Sequence, residues 1–362
     1  MELGTKSGES KIMNKFLSEI LGQPKSLEST LDFYCSEEGI NKLKKIKELL
    51  NKGNYKNIIF TGMGSSYFTS YAAACLFNRL GIHSFAINTS ELIYYHSSIL
   101  SSKVLVVCIS QSGESYEVVK FIEELAGNIS CLGVSNENES YLSKNAAETL
   151  LSKAGKEEMT STKTYTTLTL VIAILGWYLM GKWGNDKITQ VKKLIADSEV
   201  FLANYESIME DKFSFFGNVD FVQFIGRGPL FANAQQSELM FKEAAKIAAA
   251  GTLGGEFRHG PMEMIKPGFK SIMFAADGKT YKQSIRMAAD IAKYKGKVFI
   301  ITNEDPHTSD PNIKVIVMNQ QDEYLFAVQS IMPVQLLVNH LALENGFEPG
   351  NFVHGGKITL TE

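Results

Sequence analysis

Short runs of β-branched and aromatic residues alternate with stretches of helical periodicity along most of the chain, the pattern of a parallel sheet joined by crossover helices. In the first half the strand candidates are residues 57–61, 84–88, 104–110, 129–134 and 149–151; in the second they are 220–225, 271–275, 297–302 and 314–318. Residues 41–52 interleave lysines with Leu and Ile, as a solvated amphipathic helix does. Between the halves the periodicity predicts a long helical region, apolar over 166–177 and amphipathic from Lys187 to about Met209. Residues 244–250 are mostly alanine and read as helix, with Glu243 on it.

The two halves resemble each other in register. Ile59-Phe-Thr-Gly-Met-Gly64 recurs as Phe224-Ile-Gly-Arg-Gly228, with Gly62 and Gly226 separated by 164 residues, as are Gly64 and Gly228. Ser112-Gly-Glu-Ser-Tyr116 recurs as Asp277-Gly-Lys-Thr-Tyr281 at an offset of 165. Two local matches at one spacing indicate a duplicated α/β unit. The copies differ in chemistry: the first carries hydroxyls at its strand ends, whereas the second carries Arg227-Gly-Pro229 and Ala275-Ala-Asp277. An aspartate there would repel an anion, so only the first copy is expected to keep an anion site.

At 362 residues the chain exceeds the size at which one core stops growing, which agrees with two domains. Its 44% hydrophobic and 21% charged content is that of an ordinary soluble protein. A formal net charge of -3 with no basic stripe argues against a nucleic-acid partner. The four cysteines lack metal-ligand or disulfide spacing, and Cys75 and Cys108 sit in apolar runs as small buried thiols would. A reducing, cytoplasmic setting follows. Residues 1–13 lack the apolar centre of a signal peptide, and the apolar run near 168–180 is too short and interrupted to span a bilayer, so no membrane partner is expected.

Open α/β sheets bind ligands beyond the carboxyl ends of their strands, where glycines permit close approach and helix N-termini favour negative charge. Gly62-Met-Gly-Ser-Ser-Tyr67 and Ser110-Gln-Ser-Gly-Glu-Ser115 each follow a strand and open a helix. Neither holds the lysine of a nucleoside triphosphate loop. Tyr67 stands where a dinucleotide fingerprint needs its third glycine, and the next strand ends in Asn88 rather than an acidic residue. Hydroxyls with amides suit a phosphate monoester bound without metal. A single serine in such a place reads as a helix N-cap; two clusters at two strand ends of one sheet favour the anion.

These motifs resemble the sugar-isomerase (SIS) domain family, and the chain from near Glu19 to its end is similar to the double-SIS isomerase half of glucosamine-6-phosphate synthase and its stand-alone relatives. The resemblance rests on Glu19-Ile-Leu-Gly-Gln-Pro24, Ser110-Gln-Ser-Gly-Glu114, Ser161-Thr-Lys163, Gly226-Arg-Gly228, Lys242-Glu243, Glu256-Phe-Arg-His-Gly-Pro261 and Lys357. It implies two tandem SIS domains, each a flavodoxin-like, doubly wound parallel sheet flanked by helices. The expected division is a helical arm over 1–35, a first domain over 36–185, a second over 186–345 and an active-site tail over 346–362.

The resemblance implies that Gly64, Ser65, Ser66, Ser110, Gln111, Ser112 and Ser115 hold a sugar phosphate. Ser161 lines the sugar pocket in the family; from the residues alone it could equally cap the apolar helix that follows. Glu243 would shuttle a proton between C1 and C2 of an open-chain sugar, a task that needs a carboxylate raised by burial. Its other reading is a surface partner of Lys242 or Lys246. His259 would open the sugar ring, on a neighbouring subunit's substrate, so a homodimer or dimer of dimers is expected. Lys357, five residues from the end, would contact the sugar carbonyl as imine former or charge stabiliser; otherwise it is a solvated tail lysine.

Three departures mark this chain. Met240 stands where the synthase has a lysine one turn before the glutamate, His354-Gly-Gly356 alters the tail, and no glutaminase segment precedes Glu19. The expected function is therefore a phosphosugar isomerase or deaminase acting on an amino-sugar 6-phosphate without glutaminase activity, needing no metal or other cofactor. An Amadori-type sugar–amine 6-phosphate deglycase is the alternative within the same chemistry, and a non-catalytic sugar-phosphate-binding regulator is the alternative outside it.

Overall fold

A computed structural model describes residues 13–124 and 129–361. Two five-stranded sheets, parallel throughout, form the frame. The first contains β1 (Asn57–Gly62), β2 (Ser84–Asn88), β3 (Val104–Ser110), β4 (Ser130–Ser135) and β5 (Thr149–Leu151), in the order β2-β1-β3-β4-β5. The second contains β6 (Phe221–Gly226), β7 (Ala248–Leu253), β8 (Lys270–Ala275), β9 (Lys297–Thr302) and β10 (Ile313–Val317), in the order β10-β9-β8-β6-β7. Read from its own first strand, the second order repeats the first. In each sheet the order reverses beside the first strand, between β1 and β3 and between β6 and β8, and that reversal opens a crevice. The expected fold, two tandem doubly wound α/β units, is the one observed.

The alanine-rich segment departs from expectation. The helix stops at Ala244, Lys246 turns the chain at φ +57°, and Ala248–Leu253 forms β7 along β6. Alanine favours helix locally. The helix Leu230–Ala244 packs closely over the strand at Gly251, where a Cβ would lie 2.9 Å from the carbonyl oxygen of Ala234. The amphipathic stretch after Lys187 also divides, into helices Asn185–Ala203 and Tyr205–Phe216, at Asn204.

The apolar stretch of the middle region is the helix Lys163–Leu179, whose residues 164–177 are all buried. It lies at the centre of the largest hydrophobic core, shared by the two units. Among the described residues one run, Glu323–Glu344, is long and apolar enough to cross a membrane, and 94% of its apolar window is buried in the fold.

Of the N-terminal arm, residues 1–12 lie outside the described residues. The rest forms helices Lys15–Leu21 and Gln23–Cys35. The second helix is tied to the end of β5 and the segment after it by hydroxyl groups. Ser26 Oγ donates to the Ala154 carbonyl (2.8 Å), Thr30 Oγ1 to that of Ser152, and Tyr34 Oη to that of Leu151 (3.0 Å). Glu19 accepts the N–H of Glu158 (2.6 Å). The arm thus braces the chain just before residue 160, where a wall of the candidate site begins.

Candidate active site

The crevice of the first sheet is built by two turns. At the end of β1, a Cβ on Gly62 would lie 2.8 Å from the carbonyl oxygen of Ile109, so only glycine allows β1 and β3 to close up there. Gly64, at φ +50° and ψ -126°, adopts a conformation that side chains resist, and it starts the helix Ser65–Arg79. Ser65 and Ser66 therefore stand in the first turn of a helix, at the positive end of its dipole.

At the end of β3, Ser110 Oγ accepts the N–H of Gly113 (3.0 Å) and Ser112 Oγ that of Glu114 (3.2 Å). Gly113 has φ +65°, and a Cβ on it would meet Ser140 Oγ at 2.3 Å. The two serines thus shape the turn through their oxygens, while each hydroxyl hydrogen remains available to an anion. Ser66, Ser110 and Ser112 are each buried.

These turns open onto a cleft enclosing about 750 Å³ of empty space, its mouth included. Gly64, Ser65, Ser66, Ser110, Gln111, Ser112 and Ser115 line it from the first unit, with Ser161 from the segment ahead of the central helix. Leu239 and Glu243 enter from the second unit's helix Leu230–Ala244, and Phe352 and residues 356–359 from the C-terminal tail. The tail is held at several points. Gly350 is pressed between Phe16 and Met159, Lys246 Nζ donates to the Asn351 carbonyl (2.8 Å), and the Tyr116 N–H donates to that of Thr359 (3.0 Å).

Two carboxylates near this cleft differ in their surroundings. Glu243 accepts a hydrogen bond from the Thr160 hydroxyl. Burial pushes its carboxyl above the ordinary range, opposed by that hydroxyl and by the charges of Lys357 and Lys246. The surface-pair reading of Glu243 does not describe it: Lys242 pairs with Glu238, and Lys246 donates to the backbone carbonyl of Glu243.

Glu157 was not singled out in the sequence. Its side chain is wholly buried, and its Oε1 accepts the N–H of Thr162 (2.9 Å), the Thr162 hydroxyl (3.1 Å) and the N–H of Thr164 (3.0 Å). Its Oε2 accepts the Thr164 hydroxyl (2.5 Å) and the ammonium of Lys357. Burial alone would raise this carboxyl, but Lys357 and the threonines hold it below the usual range. Lys357 also donates to the Met159 carbonyl (2.7 Å). Glu157 thus caps the central helix, whose N-cap residue, Thr162, makes no side-chain cap bond. Ser161 does not cap it; its hydroxyl meets that of Thr164 (2.8 Å), and its carbonyl accepts from Gln236 (3.1 Å).

The structure brings the sequence-selected residues together except His259. That residue follows the helical turn Gly254–Phe257, is exposed, and lies outside the cleft of its own chain. Met240 is fully buried in the core and does not reach the cleft. Two residues escaped the sequence reading. Thr160 gave no signal, while Glu157 had one in hindsight: a carboxylate ahead of Thr-Ser-Thr-Lys-Thr164 at the start of an apolar helix.

The model of the SIS domain matches residues 54–176 and 218–345, and the chain belongs to the SIS domain family. It is 30% identical over 358 residues to the glutamine–fructose-6-phosphate aminotransferase (isomerizing) of Pyrococcus horikoshii, covering 96% of this chain and 57% of that protein. The protein of the same name from Thermococcus kodakarensis is 28% identical, with 96% and 58% covered. The chain thus spans little more than half the length of these relatives. Among solved structures, the C-terminal domain of glucosamine-fructose-6-phosphate aminotransferase from Francisella tularensis superposes with a TM-score of 0.83 at 21% identity, covering 94% of this chain and 98% of that one. A glucosamine-6-phosphate deaminase from Thermotoga maritima gives 0.75 at 22%, with 96% and 100% covered. At those identities the superpositions speak for the fold.

Proposed function

We propose that the protein is a phosphosugar isomerase of the SIS family acting on an amino-sugar 6-phosphate, converting it to the ketose phosphate with release of ammonia. The observation that carries this reading is a single cleft lined by serine turns of one unit and by a half-buried glutamate of the other, with a lysine from the tail on its wall. A phosphate monoester fits the first-unit turns, held by the hydroxyls of Ser65, Ser66, Ser110, Ser112 and Ser115 at a helix N-terminus, with Gly64 and Gln111 in the same turns and Ser161 also lining the cleft. The sugar then extends toward Glu243.

The two carboxylates divide the work by environment. Glu157, saturated with donors, has no lone pair to spare for a substrate proton. Glu243 has one hydroxyl donor and a raised carboxyl, which suits a base that takes a proton at C2 and returns it at C1. Proton transfer of this kind interconverts aldose and ketose; with nitrogen at C2 the imine formed on the way is hydrolysed to ketose and ammonia. Lys357 faces the carbonyl end. His259 of a second copy would complete ring opening, a role consistent with its exposure away from its own cleft.

The buried Met240 favours a second reading, a deglycase that releases a larger amine from a sugar–amine 6-phosphate. With methionine there, the helix carries no lysine one turn before Glu243, and the charges acting on that carboxylate are those of Lys357 and Lys246. Purified protein incubated with glucosamine 6-phosphate and with a fructose–lysine 6-phosphate adduct, followed for ammonia, free amine and ketose, decides between them. Ammonia from the first supports the deaminase and amine from the second alone the deglycase. Tight binding without turnover of any 6-phosphosugar would mean a regulator and overturn both.

A further inference from the structure

A wholly buried carboxylate is costly unless its charge is met, and an arrangement of this completeness directly behind two residues of a cleft wall, Ser161 and Lys357, calls for a reason. Glu157 joins two chain segments 200 residues apart: the start of the central helix and the C-terminal tail. The tail between Asn351 and Thr361 is largely exposed, so little packing fixes Lys357. Lysine has three N–H donors and four rotatable carbons. Two of the donors are taken, by Glu157 and by the Met159 carbonyl, and the residue lines the cleft. Among the described lining residues, Lys357 is the one cation.

We infer that Glu157 is a positioning residue that fixes the Lys357 ammonium in the cleft wall and so sets where that cation meets the substrate. This rests on the function proposed above. Glu157 does not touch the reacting atoms. Its oxygens are turned to the helix N-terminus and the tail, and its helix-capping bonds make it a rigid post rather than a flexible partner. Through Glu157, the serine wall at Ser161 and the tail lysine share one anchor, so a substrate that orders either one finds the other already placed.

The full-length protein carrying Glu157→Gln tests this in two ways. Gln is isosteric and still accepts hydrogen bonds, but it leaves Lys357 without a counter-charge. Labelling with trinitrobenzenesulfonate, read by mass spectrometry, needs no turnover. Lys357 should react at least about tenfold faster in Glu157→Gln than in the wild type, with exposed lysines such as Lys103 unchanged. Glu157→Asp, which keeps the charge but draws it back, should fall between, and it serves if the Gln variant does not fold. In turnover, Glu157→Gln should lower kcat about 10²-fold with KM little moved, the loss expected when a reacting group is misplaced by about 1 Å. In a Lys357→Met background the same change should add nothing. Unchanged labelling of Lys357 in a folded Glu157 variant, or an undiminished kcat loss in the Lys357→Met background, overturns the inference. If the wild type turns over no phosphosugar, the proposed reaction fails while the labelling still decides the role of Glu157.

Discussion

At the end of β1 a glycine turn leads into Ser65 and Ser66; at the matching end of β6, 164 residues on, the turn carries Arg227 and Pro229. The two sheets have one strand order, and both turns need their glycine, since a Cβ on Gly226 would lie 2.3 Å from the Leu230 carbonyl oxygen. What differs is the occupant. In the first crevice hydroxyls face an open cleft. In the second, Glu323 stands at the turn, its Oε1 3.7 Å from where a Cβ on Gly228 would sit, and its other oxygen pairs with Arg79 (2.5 Å).

Arg79 ends the helix that begins at the serines, and it precedes Glu243 by the same 164 residues. Each helix therefore runs from its own turn to the other unit's crevice. One delivers Glu243 to an open cleft; the other delivers Arg79 to a carboxylate that already fills the place of an anion. Duplication supplied two equivalent crevices, and side-chain chemistry left one open and filled the other.

The difference can be broken first at Glu243. Glu243→Gln should lower turnover of a 6-phosphosugar by about 10²–10⁴, the usual contribution of a general base, while binding stays within a few-fold. Steady-state kinetics beside equilibrium binding would show it, and turnover near the wild-type rate would remove the second unit from the chemistry. A smaller effect is expected at the turns. Ser66→Ala removes one hydrogen bond to a charged group, about 1.5–3 kcal/mol, so KM should rise about tenfold or more with kcat nearly kept. Arg227→Ala at the corresponding turn should leave KM where it was.

Acid should separate the two carboxylates. Glu243 titrates above its ordinary value, so a base that works deprotonated loses rate, up to tenfold per pH unit, as pH falls through that raised value. Glu157 titrates below its ordinary value. Its contribution to stability is full above the unfolded-state value near 4.5 and is lost only as pH falls through the lowered folded value. A pH–rate profile set against circular dichroism should show activity failing while the fold persists. The smallest effect belongs to the filled crevice. Arg79→Ala breaks a partly exposed pair worth about 1 kcal/mol, so Tm should fall by about 2 °C with kinetics unchanged.

The contrast between the crevices was legible in the sequence because it lies in local motifs, glycine turns followed by hydroxyls or not. The strands were legible where β-branched residues mark them. β7 was not, since Ala248-Ala-Ala-Gly-Thr-Leu253 has helix-favouring alanines and its strand state is imposed by β6 beside it. The duplication contained the missing information: adding the offset to 84–88, the second strand of the first unit, lands on 248–252. Glu157 stayed hidden for another reason. It reads as one of a pair of surface glutamates after Lys156, and its burial comes from segments far along the chain, the tail above all. The pairing of Lys357 with it is equally long-range.

The central claim is that one chain holds one phosphosugar site, in the first unit's crevice. Calorimetric titration with glucitol 6-phosphate, which cannot form a carbonyl and so cannot turn over, measures this directly. One site per chain is predicted, weakened about tenfold or more by Ser66→Ala and unaltered by Arg227→Ala. Two sites per chain, or affinity lost with Arg227→Ala and kept with Ser66→Ala, would contradict it.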